Sequence, residues 1–159
     1  MIKKRKLFTL LSALGIGLAI SSGSASAAVL DNDALSTAPG QTSQSGSWTY
    51  GTGSGYNNDY RIASAGSGSF QYSGYVWGYN VKNVTGNYGV YLSNKNFNNS
   101  STAYQIGENG GYVYINQNTA PSGWSSLKRY QGYNHLIAIN GYLTTKSGSV
   151  GADATKIDY

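Results

Sequence analysis

The sequence predicts an all-β domain, an antiparallel β-sandwich of the jelly-roll kind, on three observations. No segment carries apolar residues at helical spacing. Apolar residues alternate instead over short runs, as with Tyr88, Val90 and Leu92 in YGVYLSN, Val113 and Ile115 in YVYINQ, and Ile137 and Ile139 in HLIAIN. Each run is closed by Gly, Asn or Ser, residues whose turn conformations and local hydrogen bonds end a strand. Roughly nine or ten such runs suit a two-sheet sandwich.

The first 27 residues stand apart from that pattern. A cationic MIKKRK precedes the apolar run LFTLLSALGIGLAI, and the segment ends in the small-x-small sequence Ala25-Ser26-Ala27. This predicts a secretory leader over 1–27, removed after Ala27, with an apolar run too short to span a membrane. Residues 28–159 then form a single domain, long enough to bury roughly two thirds of its unfolded surface. Four of the 11 basic residues lie in the leader and all six acids lie outside it. The formal charge therefore falls from +5 for the whole chain to +1 for 28–159. A chain so nearly neutral lacks the electrostatic footprint of a nucleic-acid or anionic-membrane partner. The absence of Cys leaves packing, hydrogen bonds or a metal to stabilise an exported fold.

Taken in order, the strand candidates are VLDND, SWTYG, YRIA, GSFQYSGY, YGVYLSN, TAYQIG, YVYINQ, LKRYQGY, HLIAIN and ADATKIDY. The stretch from Leu35 to Ser47, which carries Pro39, reads as a loose loop. The Gly-rich spacers GTGSGYNN and SAGSGS read as tight turns.

Catalysis finds little support in the residue types. A glycosidase needs two carboxylates across one bond, and none of the six acids sits in such a setting. The single His135, with Tyr133 and Arg129, could serve a polysaccharide lyase as the base that removes a proton beside a uronate. A solvated strand-edge histidine is the plainer expectation, so the domain is read as non-catalytic. Asp31 and Asp33 open the first strand and Asp153 lies in the last, so their oxygens could converge on Ca²⁺. Hydrogen bonds from these carboxylates to turn amides are the competing reading.

The aromatic content is the strongest functional signal. Twenty rings, 15 of them Tyr, follow residue 27. A sandwich of this size cannot bury them all. Tyr75, Trp77 and Tyr79 alternate within GYVWGYN, so in an extended chain they share one face. Such a row could stack on pyranose rings while Asn, Gln and Tyr hydroxyls bond the sugar. Trp48 and Trp124 read as core or core-edge residues.

Six elements in order resemble the golvesin C-terminal-like domain, a module also attached to xanthan lyases. They are LDNDA, GSWTYG, NDYRIASAGSGSF, GNYGVYL, AYQIGENGGYVYINQN with the Trp124 to Leu127 Trp-x-x-Leu, and the closing Ala-Asp-Ala of 152–154. The resemblance runs from Leu30 to Tyr159 and implies a galactose-binding-like β-sandwich, usually non-catalytic and associated with sugars. YVWGYNVKNVT stands where that family generally has a short, proline-bearing segment. GSWTYGTGSGYNNDY also resembles the start of lactococcin 972-type bacteriocins. The expected function is a secreted carbohydrate-binding module for an extracellular or cell-wall polysaccharide. The alternatives are a bacteriocin-like antibacterial protein and a self-associating matrix or surface protein, whose low charge and open strand edges would favour pairing.

Overall fold

The computed structural model describes residues 26–34, 39–66, 70–92 and 95–159, so the leader expected over 1–27 lies almost wholly outside the described residues. Its strands are β1 (Ala27–Leu30), β2 (Gly40–Ser45), β3 (Thr49–Thr52), β4 (Asp59–Ala65) and β5 (Gly74–Leu92). They continue as β6 (Thr102–Ile106), β7 (Tyr112–Ile115), β8 (Gly123–Asn140), β9 (Gly148–Ala152) and β10 (Thr155–Asp158). All pairings are antiparallel. One sheet runs β1-β10-β5-β8-β6-β7, with β2 also beside β5, and a three-stranded sheet runs β3-β4-β9. This is the all-β sandwich the alternation predicts.

The structure differs from the sequence reading at β5, β8, β2 and the β9–β10 crossing. β8 joins two predicted strands into one of 18 residues. β5, of 19 residues, runs from the last two residues of GSFQYSGY through YGVYL, and Phe70–Tyr72 forms a short 3₁₀ turn instead of strand. β5 and β8 pair from Gly74↔Asn140 to Leu92↔Gly123, so internal Gly and Asn residues sit inside a ladder instead of ending it. The register slips between Tyr79 and Lys82 and again between Asn87 and Gly89, and Asn83 takes a φ of 53° beside the first slip. Bulges of this kind bend a strand and increase its twist. β5 thereby serves different partners along its other edge, β2 over Gly74–Tyr79 and β10 over Asn87–Val90.

β2 falls in the stretch read as a loop. Its sequence, GQTSQS, has no apolar face, and its side chains are mostly exposed. Backbone pairing to β5 makes it a strand, a decision taken by the partner and not by its own residues. ADATKIDY is likewise divided. β9 pairs with β4 in the small sheet and β10 with β5 in the large one, so the chain changes sheets at Asp153-Ala154. β10 then pairs with β1, and Ser26 and Tyr159 exchange both backbone hydrogen bonds, at 2.7 and 2.8 Å.

The core between the sheets is lined by Tyr75, Trp77, Tyr79, Tyr88, Val90, Leu92, Ile137, Ile139 and Ile157, with Phe97 and Val150 among the residues facing them. Three β5 rings reach partners beside the neck between the two sheets or beyond β1. The Tyr75 hydroxyl donates to the Asn32 carbonyl. Trp77 Nε1 donates to the Asp153 carbonyl at 3.0 Å, and the Tyr79 hydroxyl shares a hydrogen with Thr155 Oγ1 at 2.6 Å. Burying these polar atoms costs little because each has a partner. A fourth link comes from Gln117. Its amide accepts from the Gly151 N–H and donates to the Gly151 carbonyl, both at 2.9 Å, pairing a side chain to β9 as a strand would.

Trp77→Ala removes the largest fully buried side chain and leaves the Asp153 carbonyl without its donor. It is expected to cost about 3–5 kcal/mol, measured as a lower urea midpoint at unchanged slope.

Candidate functional site

The structure corrects the expected contact row. Tyr75, Trp77 and Tyr79 do share a face, as alternation requires, but that face is turned into the sandwich, with exposures of 2%, 0% and 7%. β5 is paired along both edges, so its large apolar side chains have the opposite sheet to cover. Buried this way, the row presents no open surface. Trp48 is a core-edge residue, with Nε1 bonded to the Ser45 carbonyl at 2.9 Å and its ring edge-on to Tyr75 at 5.2 Å. Trp124 is not in the core: more than a third of it is exposed.

Of the expected calcium ligands, Asp31 lies within electrostatic reach of both Asp153 and Asp33, but the three do not form one ligand set. Asp33 is exposed whereas Asp153 is fully buried. Among the described residues no three acidic, His or Cys side chains are placed to hold a metal ion. Protein donors take up the carboxylates instead. The Tyr56 N–H meets both oxygens of Asp153 at 3.0 and 3.1 Å. Asp31 accepts from the Asn32 N–H at 2.7 Å and from Asn57 Nδ2 at 2.6 Å. Asp59, which the sequence reading left out, accepts from Asn32 Nδ2 and, at 3.2 Å, from the Tyr50 hydroxyl. These hydrogen bonds are those of the turn-bonded reading. Burial above all, with smaller contributions from Asp31 and Asp59, pushes the Asp153 carboxyl up to about 8.

His135 is also enclosed, at 2% exposure. Its Nδ1 bonds the Tyr88 hydroxyl and its Nε2 lies 2.9 Å from the Gly132 carbonyl. Burial, partly offset by the Gly132 hydrogen bond, lowers its pKa. Tyr133 and Arg129 are exposed, with Tyr133 stacked on the Lys82 ammonium at 4.9 Å, so the three candidate lyase residues do not form a shared open site.

One exposed ring, Trp124, is packed against two half-buried ones. Trp124 opens β8 directly opposite Tyr91 of β5, and the two rings meet edge-on at 5.3 Å. Tyr56, from the short turn Tyr56–Asn58 before β4, completes the cluster at 5.5 Å from Tyr91 and 5.7 Å from Trp124. Gly89 and Lys156 are cross-strand neighbours, and a Cβ at Gly89 would come within 3.3 Å of the Lys156 side chain. Lys156 lies across this gap, its ammonium 5.2 Å from the Trp124 ring centre and 2.7 Å from Asp158.

Two shallow depressions flank the Trp124–Ser126 segment. One, of about 430 Å³, lies toward Tyr114, Asn116, Thr119 and Pro121. The other, of about 160 Å³, is walled by Asn87, Lys156 and Asp158 over Gly89. Tyr114, 54% exposed, gives the larger depression a second ring. Depressions of similar volume near Ser64 and near Arg61 are lined by no exposed ring. The Trp124 face combines flat apolar surfaces with hydroxyl, amide and charged groups, the chemistry that stacks on sugar rings and bonds their hydroxyls.

Sequence reasoning missed Trp124 although a signal was present. In GWSSLKR, Trp124 shares strand parity with Ser126 and Lys128, while Leu127 takes the opposite parity and packs on the core. Period two therefore turns Trp124 outward.

These features define a β-sandwich module with an aromatic face. The golvesin C-terminal domain model matches residues 29–159, and the chain belongs to that family. A solved Paenibacillus xanthan lyase structure shares the fold, with a TM-score of 0.64 and 22% identity over 87% of this chain. The match spans only 13% of that lyase chain. No curated protein matches the sequence. The bacteriocin-like stretch falls on β3, the Tyr56 turn and the start of β4, inside the golvesin match.

The raised Asp153 value fixes a sign for pH dependence. A carboxyl harder to ionise in the fold than in the unfolded chain stabilises the fold while protonated, and that contribution is lost as pH rises from about 4 toward 8. Asp153→Asn, which cannot ionise, is expected to flatten that decline, seen by comparing urea midpoints at about pH 5 and about pH 9.

Proposed function

We propose that this domain is a secreted, non-catalytic accessory module that binds an extracellular or cell-wall polysaccharide through the Trp124 face. One observation carries the reading: Trp124 is an exposed ring held in place by Tyr91 and Tyr56, with a depression on either side. A ring already braced by its neighbours loses little freedom on binding, which favours affinity. Family membership and the fold shared with part of a xanthan lyase support a carbohydrate-associated role. The enclosure of His135 supports the non-catalytic reading. The leader-like first 27 residues support export, and no described helix is long and apolar enough to cross a membrane.

The test is retention of the domain, as residues 28–159, on insoluble glucans, chitin and peptidoglycan. Retention by at least one polymer is expected, with Trp124→Ala weakening it about tenfold or more, as for a central aromatic anchor, at an unchanged urea midpoint. Equal retention of Trp124→Ala would assign binding to another surface. A concentration-dependent sedimentation shift with no polymer retained would favour self-association instead.

A further inference from the structure

Asp153 is a motif residue of the sequence that neither a metal site nor the exposed face absorbs, and it lies at the neck where the chain changes sheets. Its carbonyl takes the Trp77 indole hydrogen in the core. Its carboxyl takes the backbone hydrogen of Tyr56, whose ring braces Trp124 at the surface. One buried residue thus touches both the core row and the element that supports the exposed ring.

The Tyr56 turn is shaped in a way that requires such a hold. Gly55, Asn57 and Asn58 have φ of 94°, 51° and 74°, so three of four consecutive residues occupy the left-handed side of conformational space. Asn tolerates that region better than most residues, yet two in succession store strain that surrounding contacts must balance. A Cβ at Gly55 would meet the Asp59 carbonyl at 2.2 Å and Asp153 Oδ2 at 2.8 Å, which shows how closely the turn is seated on the carboxyl. The second tie is Asn57 Nδ2 to Asp31.

We infer that Asp153 is the positioning residue of the Trp124 face: by holding the Tyr56 backbone hydrogen it keeps the strained turn seated and the Tyr56 ring braced against Trp124. Asp153 touches no ligand in this scheme. Its carboxyl also takes the Ala154 backbone hydrogen, and what it must supply to Tyr56 is an acceptor oxygen. The carboxamide of Asn supplies one as well, whereas Ala supplies none.

The binding part of the test rests on the polysaccharide reading above, but the structural part does not. Three tryptophans give three indole N–H resonances, and Trp124→Phe identifies the one that belongs to Trp124. In the unmodified domain the Tyr56 amide is expected to be protected from hydrogen exchange, and exchange at the rate of an open loop would overturn the inference. Asp153→Ala is expected to shift or broaden the Trp124 indole resonance while that of Trp48 stays in place. It should also weaken polymer retention about tenfold, a loss comparable to that of an anchor residue. Asp153→Asn should restore both. An unmoved Trp124 resonance in folded Asp153→Ala, or an Asn variant as impaired as the Ala variant, would refute the role. Should Asp153→Ala not fold, the amide exchange of Tyr56 and the Asn variant still decide it. If the unmodified domain retains no polymer, the function fails and the indole and exchange readouts still judge the inference.

Discussion

The fold depends on a row of rings whose polar atoms all find partners just after β1 or at the neck where the chain changes sheets. Tyr75, Trp77 and Tyr79 fill the space between the sheets as large hydrophobic bodies, and each ends in a hydroxyl or indole hydrogen that needs a partner. Their partners are Asn32, Asp153 and Thr155, which lie just after β1 and around the neck between β9 and β10. A side chain of similar volume without the polar tip would fill the core and leave the position of these segments undetermined. In a chain with no Cys, this pairing of bulk with direction takes over part of what a covalent crosslink would do.

The same economy governs the carboxylates. Asp31, Asp59 and Asp153 are close enough to raise the protonation of Asp153, yet backbone and amide donors occupy their oxygens. Their effect is to organise the approach of β1, β4 and the neck around one turn. That turn is where interior order reaches the surface, since Tyr56 is fixed from below by its backbone and lies beside Trp124 by its ring. The aromatic face is therefore continuous, through two residues, with the packing of the core.

Much of this was legible in the sequence, because strand alternation records burial. The all-β class and the shared face of Tyr75, Trp77 and Tyr79 follow from period two alone. Period two does not say which face is inward. That depends on where the second sheet lies, a relation among segments distant in the chain, and it reverses the role expected of those three rings. Trp124 was readable in principle, through the inward parity of Leu127, but a tryptophan in a strand suggests core so strongly that the signal was easily passed over. β2 was not readable at all, since GQTSQS has no burial pattern and owes its conformation to β5. The Asp59 contribution was equally hidden, because nothing in the spacing of Asp31, Asp59 and Asp153 announces that a sheet crossing brings them together.

The pairing of β1 with β10, Ala28 opposite Ile157, has a consequence of its own. Polypeptide joined ahead of the first strand and polypeptide joined behind the last one leave from a single corner. Such a unit behaves like a bead on a clasp: it can hang from the start of a host protein, from its finish, or be spliced into an exposed loop, without prying the host apart.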